Sequence, residues 1–548
     1  NTMGGALLLS KDSPGFDSAG KALAEISEDG GVRAALAQDF TLLPEELALR
    51  ISYARQQSDA RVTNLYDQDE AFGETCRDKI EMRVRWHPKV DQRTTFDFSW
   101  VKDRLRGNPF ALAVQRPGGS LFDRETSLNT ASSYPADRQA VTLNAQVILP
   151  NDLELKSTTS GQWLDVEQKY DLDASALLNW TLDGFRDETR FSQDLYLVEK
   201  EGDWQWLLGF YAEHSEYGFG SKGIGFQPLP AGSPFDNAGS ETVEIAALYG
   251  RVNWKLTDDV HLSGGLRLSY EKRALNFSSV FGAQPTQRSS GKTEGAELLP
   301  HVGLSWQPDK GRVFGVELAR GYRGGGTSYA PSLGLTQDYD PEYAWEAEIF
   351  ARVAATDKLE FYAALFYTSI EDQQVPLNVP GGLARIDTLI ENAATASRRG
   401  AELEARWRVA EGWTVFGNFA WIQAEFDSLI LNGVNRSGQD FPNAPEWIAS
   451  IGLDYSREQG WFGSVVFAYS DHSYSEVSSP EVTALEARQL LSARIGYAWR
   501  HWSVYVYGSN LFDDSYALVR LDNSGVGLPV TGKAGAPRFF GLGAEFKW

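Results

Sequence analysis

Apolar and polar residues alternate along many short stretches of the chain, and this alternation predicts β-strands. In three clear examples the apolar residues occupy every second position, with polar or small residues between most of them. Because successive side chains of a strand point to opposite faces, each strand has one apolar and one polar face. The apolar sets are Val260, Leu262, Leu266, Leu268 and Tyr270; Ala401, Leu403, Ala405, Trp407 and Val409; and Trp204, Trp206, Leu208 and Phe210.

Short segments rich in turn-forming or charged residues separate these strands at fairly regular intervals. Between two tight turns lie two strands, joined by a longer connection that is rich in Gly, Ser or Pro. Ten tight turns join twenty strands, and one further strand at each end gives about 22. The turns lie at residues 44–46, 88–91, 150–152, 201–203, 257–259, 308–311, 356–358, 411–412, 458–460 and 500–501.

Short turns at one end and long loops at the other are typical of outer-membrane barrels. An Arg or Lys on the lipid-facing side costs about 2–4 kcal/mol at the membrane midplane, so the polar faces must point inward. The predicted fold class is all-β: a transmembrane antiparallel β-barrel of about 22 strands, with short periplasmic turns and long extracellular loops. A soluble β-propeller or β-helix would need a recurring repeat motif, and none occurs.

The last residues form one more alternating strand, and the chain stops on an aromatic residue. An exposed terminal Trp has little purpose in a soluble protein. A terminal strand of this kind resembles the assembly signal of outer-membrane barrels. We assign that signal to Phe540, Leu542, Phe546 and Trp548.

Composition excludes several other classes of protein. The 548 residues include 17 Trp, 22 Tyr and 29 Phe, and Tyr and Trp suit membrane interfaces because each has an apolar body and a polar tip. No segment approaches the roughly 18 uninterrupted apolar residues of a spanning helix. A net charge of −23 argues against nucleic acid as a partner. The single cysteine, Cys76, cannot form a disulfide within the chain.

Catalytic signatures are missing from the sequence, so we predict that the protein is not an enzyme. The six histidines are scattered and show no metal-ligand spacing. An acidic stretch at residues 67–70 is interpreted as a loop tip rather than a calcium site. We therefore predict neither a metal site nor a cofactor.

Several stretches resemble, in order, motifs of the TonB-dependent receptor family, especially its siderophore-receptor branch. GLRLSYE at residues 265–271 and RGYRGGG at 320–326 are two examples, although Gly324 stands where the family usually has Pro. Each stretch is weak alone, but together they cover nearly the whole chain. The others lie at residues 1–6, 341–342, 345–348, 367–374, 392, 399–404, 441–445, 510–513 and 535–538.

The resemblance implies two parts. Residues 1–15 would be the C-terminal remnant of a plug domain with its connector, and residues 16–548 the transmembrane barrel. A complete family member carries a whole plug, preceded by a segment that binds TonB. We expect that plug to be omitted from this sequence, cleaved, supplied by another polypeptide or lost. The first residues do not resemble a signal peptide.

The implied function is uptake across the bacterial outer membrane of a scarce ligand, with a ferric siderophore the favoured cargo. Cobalamin, an oligosaccharide or an aromatic compound are alternative cargoes, because a fold does not set its ligand. Expected partners are outer-membrane lipid and lipopolysaccharide, the plug, TonB acting through the plug, and a small ligand such as an iron chelate. A second hypothesis from another class is a plugless barrel that acts as a passive pore or as a structural anchor.

Aromatic side chains beside a cation suit an anionic chelate that contains rings. We predict such a ligand site in two glycine-rich loops, near residues 217–240 and 321–340. The candidate ligand-binding residues are Tyr217, Phe219, Phe226, Tyr322, Arg323 and Tyr329.

Overall fold

A computed structural model describes residues 13–58, 61–70, 72–88, 93–116, 118–130, 132–171, 175–176, 180–225, 233–380, 382 and 387–548. Twenty-two antiparallel strands close into a barrel, which confirms the predicted fold class. The strands are β1 (Gly20–Ser27), β2 (Val32–Leu43), β3 (Leu47–Ser58), β4 (Thr75–Trp86), β5 (Thr94–Gly107), β6 (Ala136–Ile148), β7 (Glu154–Asp171), β8 (Thr181–Glu199), β9 (Trp204–Gly225), β10 (Ser233–Lys255), β11 (Val260–Phe281), β12 (Gln287–Asp309), β13 (Arg312–Arg323), β14 (Glu342–Thr356), β15 (Leu359–Asn378), β16 (Thr388–Ala410), β17 (Trp413–Leu431), β18 (Trp447–Tyr455), β19 (Gly460–Ser470), β20 (Arg488–Ala498), β21 (Trp502–Ser509) and β22 (Phe539–Lys547).

Each strand pairs with the next along the chain, and β22 pairs with β1 to close the barrel. The closing register runs from Lys21 opposite Lys547 to Ser27 opposite Gly541. Further backbone bonds extend this seam at both ends. The Gly20 amide donates to the Trp548 carbonyl at 2.9 Å, the Trp548 amide donates to the Gly20 carbonyl at 3.1 Å, and the Glu28 amide donates to the Phe540 carbonyl at 2.9 Å. Closure matters because an open sheet edge cannot be hydrated inside a bilayer.

The predicted tight turns fall at one end of the barrel, where consecutive strands are joined; residues 89–91 of the turn predicted at 88–91 lie outside the described residues. The ends of the closing seam, at Gly20 and Trp548, lie at this same end. Connections at the opposite end vary widely, from residues 28–31 to residues 510–538. The predicted loop near residues 217–240 is mostly strand, because β9 and β10 continue to Gly225 and from Ser233.

The outer wall carries the apolar sets predicted from the alternation. Leu266 is 51% exposed, Leu268 and Tyr270 are also exposed, and Ser269 between them is buried. Leu403 and Trp407 of β16 are exposed in the same way. Exposed apolar side chains in one continuous band are what a lipid-facing surface requires, so the inward and outward assignments are confirmed.

Aromatic rings line the outer wall beside the tight turns, where a barrel meets the lipid headgroups. Many of them pair across neighbouring strands, which adds to the energy gained from their burial in lipid. Such pairs, with the distances between ring centroids, are Trp204–Trp254 (4.7 Å), Trp306–Phe314 (5.5 Å), Trp413–Tyr455 (4.6 Å) and Trp502–Phe546 (4.4 Å).

A row of charges marks the upper limit of the lipid-facing band on β9 to β12. His214, Glu244, Lys272 and Glu294 lie directly opposite one another on these four strands. Lys272 Nζ is 2.5 Å from a carboxylate oxygen of Glu244. Charges of this density cannot face hydrocarbon, so the wall above this row stands in water. No helix in the described ranges is long and apolar enough to cross a membrane.

Three loops at the extracellular end pack into a cap near the seam. Strands from residues 108–135 and 510–538 form a three-stranded sheet, and Leu121, Leu485 and Ala517 bury one another beneath it. Burial, with Arg61 nearby, lowers the pKa of the Lys533 ammonium in this cap. The short elements of the extracellular connections are Thr63–Asn64, Ala113–Val114, Leu121–Asp123, Glu125–Thr126, Gly326–Ala330, Leu335–Tyr339, Val434–Asn435, Ser473–Tyr474, Ala484–Leu485, Ala517–Leu521, Ser524–Val526 and Thr531–Ala534.

The last strand allows a test of the lipid-facing assignment. Leu542 is 55% exposed on the outer face of β22, so Leu542→Arg should cost about 2–4 kcal/mol of barrel stability in the membrane. We expect a clear fall in the heat-modifiable, folded fraction of the protein recovered from outer membranes.

Glu545→Gln is the matched control on the same strand. Glu545 takes the alternate position and lies 3.9 Å from Lys21 in a partly exposed ion pair, and such pairs contribute little. Equal folding of both variants would show that the faces of β22 are assigned wrongly.

Candidate ligand-binding site

β12 and β13 separate partway along their length, and this separation opens the wall toward its extracellular end. Their pairing ends at His301 opposite Ala319, and the next residue of β12 toward the extracellular side is Pro300. Proline has no N–H to donate to a neighbouring strand. β13 continues beside β14 alone, as far as Arg323 opposite Glu342.

Beyond β13 the chain forms a hairpin, Gly326–Ala330 paired with Leu335–Tyr339, that lies inside the mouth of the barrel. We call this segment the inner hairpin. Thr327 packs directly on Gly291 of β12, where a Cβ would lie 2.1 Å from the threonine hydroxyl oxygen. On the far side, the Ile390 amide of β16 donates to Ser328 Oγ at 3.0 Å. The inner hairpin therefore spans the inner wall from β12 to β16.

Tyr322, one of the candidate residues, anchors the base of this hairpin. It is only 3% exposed, and its hydroxyl donates to Glu271 of β11 at 3.0 Å. Arg273 Nε also binds Glu271, at 2.6 Å. A Cβ at Gly324 would lie 2.4 Å from the Glu271 carboxylate, so a residue with a side chain would not fit without displacing it. Tyr322 therefore holds the hairpin rather than facing the lumen.

Three rings form the most distinctive feature of the mouth. Tyr329 of the inner hairpin stacks on Phe277 of β11, with centroids 4.1 Å apart, and on Phe219 of β9 at 5.7 Å. Gly239 of β10 lies beneath the two phenylalanines, and a Cβ there would approach Phe219 to 2.5 Å. We call Phe219, Phe277 and Tyr329 the ring cluster. Burial raises the pKa of the Tyr329 phenol to about 12, with a smaller effect from Glu241, so the phenol is neutral at physiological pH.

Two arginines lie next to the ring cluster on the inner wall. Arg190 Nη2 donates to the Tyr217 hydroxyl at 2.8 Å, and the Arg186 guanidinium lies 6.0 Å from the centre of the Tyr217 ring. Both arginines contact the buried Glu188, at 2.9 and 3.6 Å. The Arg186 side chain remains 52% exposed, so it can contact a solute in the lumen.

Hydrogen bonds between the family-like motifs fix the base of the inner hairpin. The Gln374 side chain donates to the Gly324 carbonyl at 3.0 Å and to the Asp340 carbonyl at 3.2 Å. Its backbone amide donates to the buried Glu342 at 2.8 Å. The Asn392 side chain also binds the Asp340 backbone. Its Oδ1 accepts from the Asp340 amide at 2.8 Å, and its Nδ2 donates to the Asp340 carbonyl at 2.8 Å. These motif residues therefore hold the inner hairpin in place through hydrogen bonds at its base.

A second set of motif residues forms hydrogen bonds between the two ends of the longest loop of the cap, residues 510–538. The Asn510 side chain, which is buried, donates to the carbonyls of Asp514 and Ala536 at 2.9 Å each. The Arg538 amide donates to Asp513 Oδ1 at 3.0 Å. The two ends of the loop are therefore bonded to each other.

The structure brings together only part of the predicted site. Phe219 and Tyr329 meet in the ring cluster, Tyr217 lies close by on β9, and Arg323 is exposed at the end of β13. Phe226 lies outside the described residues. Sequence reasoning missed Phe277, Arg186 and Arg190, although extending the alternation of β11 past Glu271 would have placed Phe277 inward.

The arrangement can bind a planar or ring-bearing anion. Aromatic faces supply contact area at low entropic cost, and a partly desolvated guanidinium supplies charge-assisted hydrogen bonds. Within the described ranges, no three His, Cys, Asp or Glu side chains come together as a metal-binding group.

Removing the Tyr329 ring should loosen the inner hairpin. Aromatic pairs contribute roughly 0.5–1.5 kcal/mol each beyond simple burial, so Tyr329→Ala should raise amide hydrogen exchange across residues 326–339 severalfold. Tyr329→Phe keeps both ring contacts and should leave exchange unchanged. Unchanged exchange in Tyr329→Ala would mean that the hydrogen bonds at the hairpin base suffice to hold it.

Comparison with known proteins places this barrel in a family. The family model described as TonB dependent receptor-like, beta-barrel, matches residues 85–511. The pesticin receptor of Yersinia pestis is 31% identical over 209 residues, which are 37% of this chain and 30% of that protein. The chain thus matches less than a third of the length of that curated relative.

Solved structures share the fold at low sequence identity. The ferric yersiniabactin uptake receptor FyuA from Yersinia pestis superposes with a TM-score of 0.85 at 19% identity, over 98% of this chain and 81% of that one. The siderophore receptor PiuA from Acinetobacter baumannii gives a TM-score of 0.76 at 15% identity, over 98% and 82%. With its closed 22-strand wall and a family match over most of its length, this chain belongs to the TonB-dependent receptor family of bacterial outer-membrane β-barrels.

Proposed function

We propose that this chain forms the wall and the ligand entrance of a TonB-dependent transporter for an anionic, ring-bearing iron chelate, with a ferric siderophore as the favoured cargo. One observation carries the proposal: the ring cluster and the half-exposed Arg186 lie together on the inner wall of the mouth. Rings and cations in one place match the chemistry of a chelate that has aromatic groups and excess negative charge.

The relatives support the same cargo class. FyuA is named for uptake of ferric yersiniabactin, and a further structure with the same fold is the ferripyoverdine receptor of Pseudomonas aeruginosa bound to ferripyoverdine, at a TM-score of 0.74 and 15% identity. The copper transporter OprC shares the fold as well, with a TM-score of 0.77. The fold therefore does not determine the cargo, and the side chains in the mouth of this barrel support an iron chelate.

In the proposed mechanism the barrel provides selectivity and a conduit. A plug fills the wide lumen, because 22 strands enclose more space than their own side chains can fill. The chelate binds between the ring cluster and the inward arginines, and energised TonB pulls on the plug to open a path. The barrel itself remains closed, since every strand pairs with the next over at least part of its length and β22 pairs with β1.

Uptake in living cells tests this proposal. Deleting the gene from an iron-starved strain should abolish accumulation of radioactive iron supplied as one or more aromatic ferric chelates, and the natural gene should restore it. Inactivating TonB should abolish the same uptake. Accumulation that persists without TonB would instead support the passive pore.

Arg186→Gln tests the cation at the entrance. Hydrogen bonds to charged groups contribute about 1.5–3 kcal/mol, so affinity for the transported chelate should fall at least about tenfold. Arg408→Gln is the matched control, because Arg408 is an exposed arginine beside a tight turn, with its Nη2 2.7 Å from the Asp357 carbonyl. Intrinsic fluorescence quenching by the chelate measures both variants. Equal affinity in both would remove Arg186 from the site.

A further inference from the structure

The upper part of β12 has an unpaired edge. Strand β11 covers one side of β12 from Gln287 to Trp306, but β13 covers the other side only from His301 downward. Above Pro300 the second edge has no backbone partner within the described part of the chain. The part of this edge from Arg288 to Glu294 lies at or above the row of outer charges, and therefore in water.

The register shows which groups are free along this edge. The Gln307 amide donates to the Asp259 carbonyl on the β11 side. Residues of an antiparallel strand alternate in the side to which their backbone groups point, and no bulge interrupts the β11–β12 register. Odd-numbered residues of β12 therefore face β11, and even-numbered residues face the open edge. The Leu298 carbonyl fits this assignment, because it accepts from Arg320 Nη1 at 3.0 Å on the open side.

Five consecutive even-numbered residues thus present a free N–H and a free C=O: Arg288, Ser290, Lys292, Glu294 and Ala296. All five are exposed. Five such residues are enough for an ordinary strand-to-strand ladder.

The inner hairpin does not fill this edge. It lies on the inner face of β12, with Thr327 packed on Gly291, and its two strands are bonded to each other. The ring cluster and the hydrogen bonds of Gln374 hold it there. The hairpin therefore leaves the backbone groups of the edge uncovered.

We propose that this edge is a docking site for an extended segment of an extracellular polypeptide, which would pair antiparallel to β12 as an added strand. Main-chain hydrogen bonds would supply the affinity in such a complex. The charges along the edge set the chemistry of the partner: an acidic side chain would oppose Lys292 and a basic one would oppose Glu294, since opposite charges across strands stabilise pairing.

The same charges account for why the edge remains free in the isolated protein. Natural proteins place charged residues on open strands to prevent indiscriminate pairing. Lys292 and Glu294 lie 2.8 Å apart along the strand, so only a partner with a matched charge pattern gains from replacing water. The edge therefore favours strands with complementary charges over strands of arbitrary sequence.

The test uses a labelled peptide with the sequence of residues 270–279, which already pairs along the other edge of β12, with Ala274→Glu so that an acidic side chain opposes Lys292. In that pairing its lysine lies opposite Glu294. We expect saturable binding to the full-length protein purified from outer membranes, measured by fluorescence anisotropy. The same peptide with alternate amides N-methylated should bind at least tenfold more weakly.

Ala296→Pro removes one free N–H without touching the β11 ladder, and Gly295 before it tolerates the added ring. This variant should bind the peptide at least tenfold more weakly, whereas Ala296→Val, which retains the N–H, should bind it normally. Both variants should support chelate uptake, so failure here is distinguishable from failure of the transport proposal.

Three results would overturn the proposal: no saturable binding to the natural protein, equal binding by both Ala296 variants, or slow hydrogen exchange at the amides of Lys292 and Glu294 without peptide. The last would show that the protein's own chain already occupies the edge.

Discussion

The structure depends on one constraint: every backbone hydrogen-bonding group within the lipid needs a partner inside the protein. The chain meets this constraint by returning to its beginning, where the strand that ends at Lys547 pairs with the strand that begins at Gly20. Once the ladder is closed, the side-chain pattern follows, because one face of every strand must then be apolar where it touches lipid. Above the row of charges that includes Lys272 and Glu244, water can satisfy the backbone and the constraint no longer holds.

The mouth of the barrel is built where that requirement relaxes. The ladder between two wall strands ends at Pro300, below that row, and the strand freed there leads into the inner hairpin. Tyr322 and Glu271 fix the point of departure, and Tyr329 fixes the hairpin against two rings of the wall. The separation of the two strands at Pro300 thus accompanies both the inner hairpin and the unpaired edge of β12.

The family-like motifs have a common physical role in this arrangement. Gln374 and Asn392 bind backbone carbonyls at the hairpin base, and Asn510 binds the two ends of the longest loop. None of these three residues belongs to the ring cluster, so their task is to position extracellular segments relative to the wall. In the function proposed above, selectivity rests on side chains that line the mouth, such as Arg186 and Phe219, which the motifs do not specify.

The amino-acid sequence by itself determined the barrel, because a two-residue alternation and ten short turns are local features that hold whatever the strands later pair with. It also predicted that rings of the mouth would matter, and Phe219 and Tyr329 do meet. Only the tertiary structure decided that Tyr322 is buried, that Phe277 completes the cluster, and that Pro300 frees an edge. Those outcomes depend on contacts between segments distant in sequence and on which side of a strand each backbone group faces, and neither is encoded in a local pattern of residues.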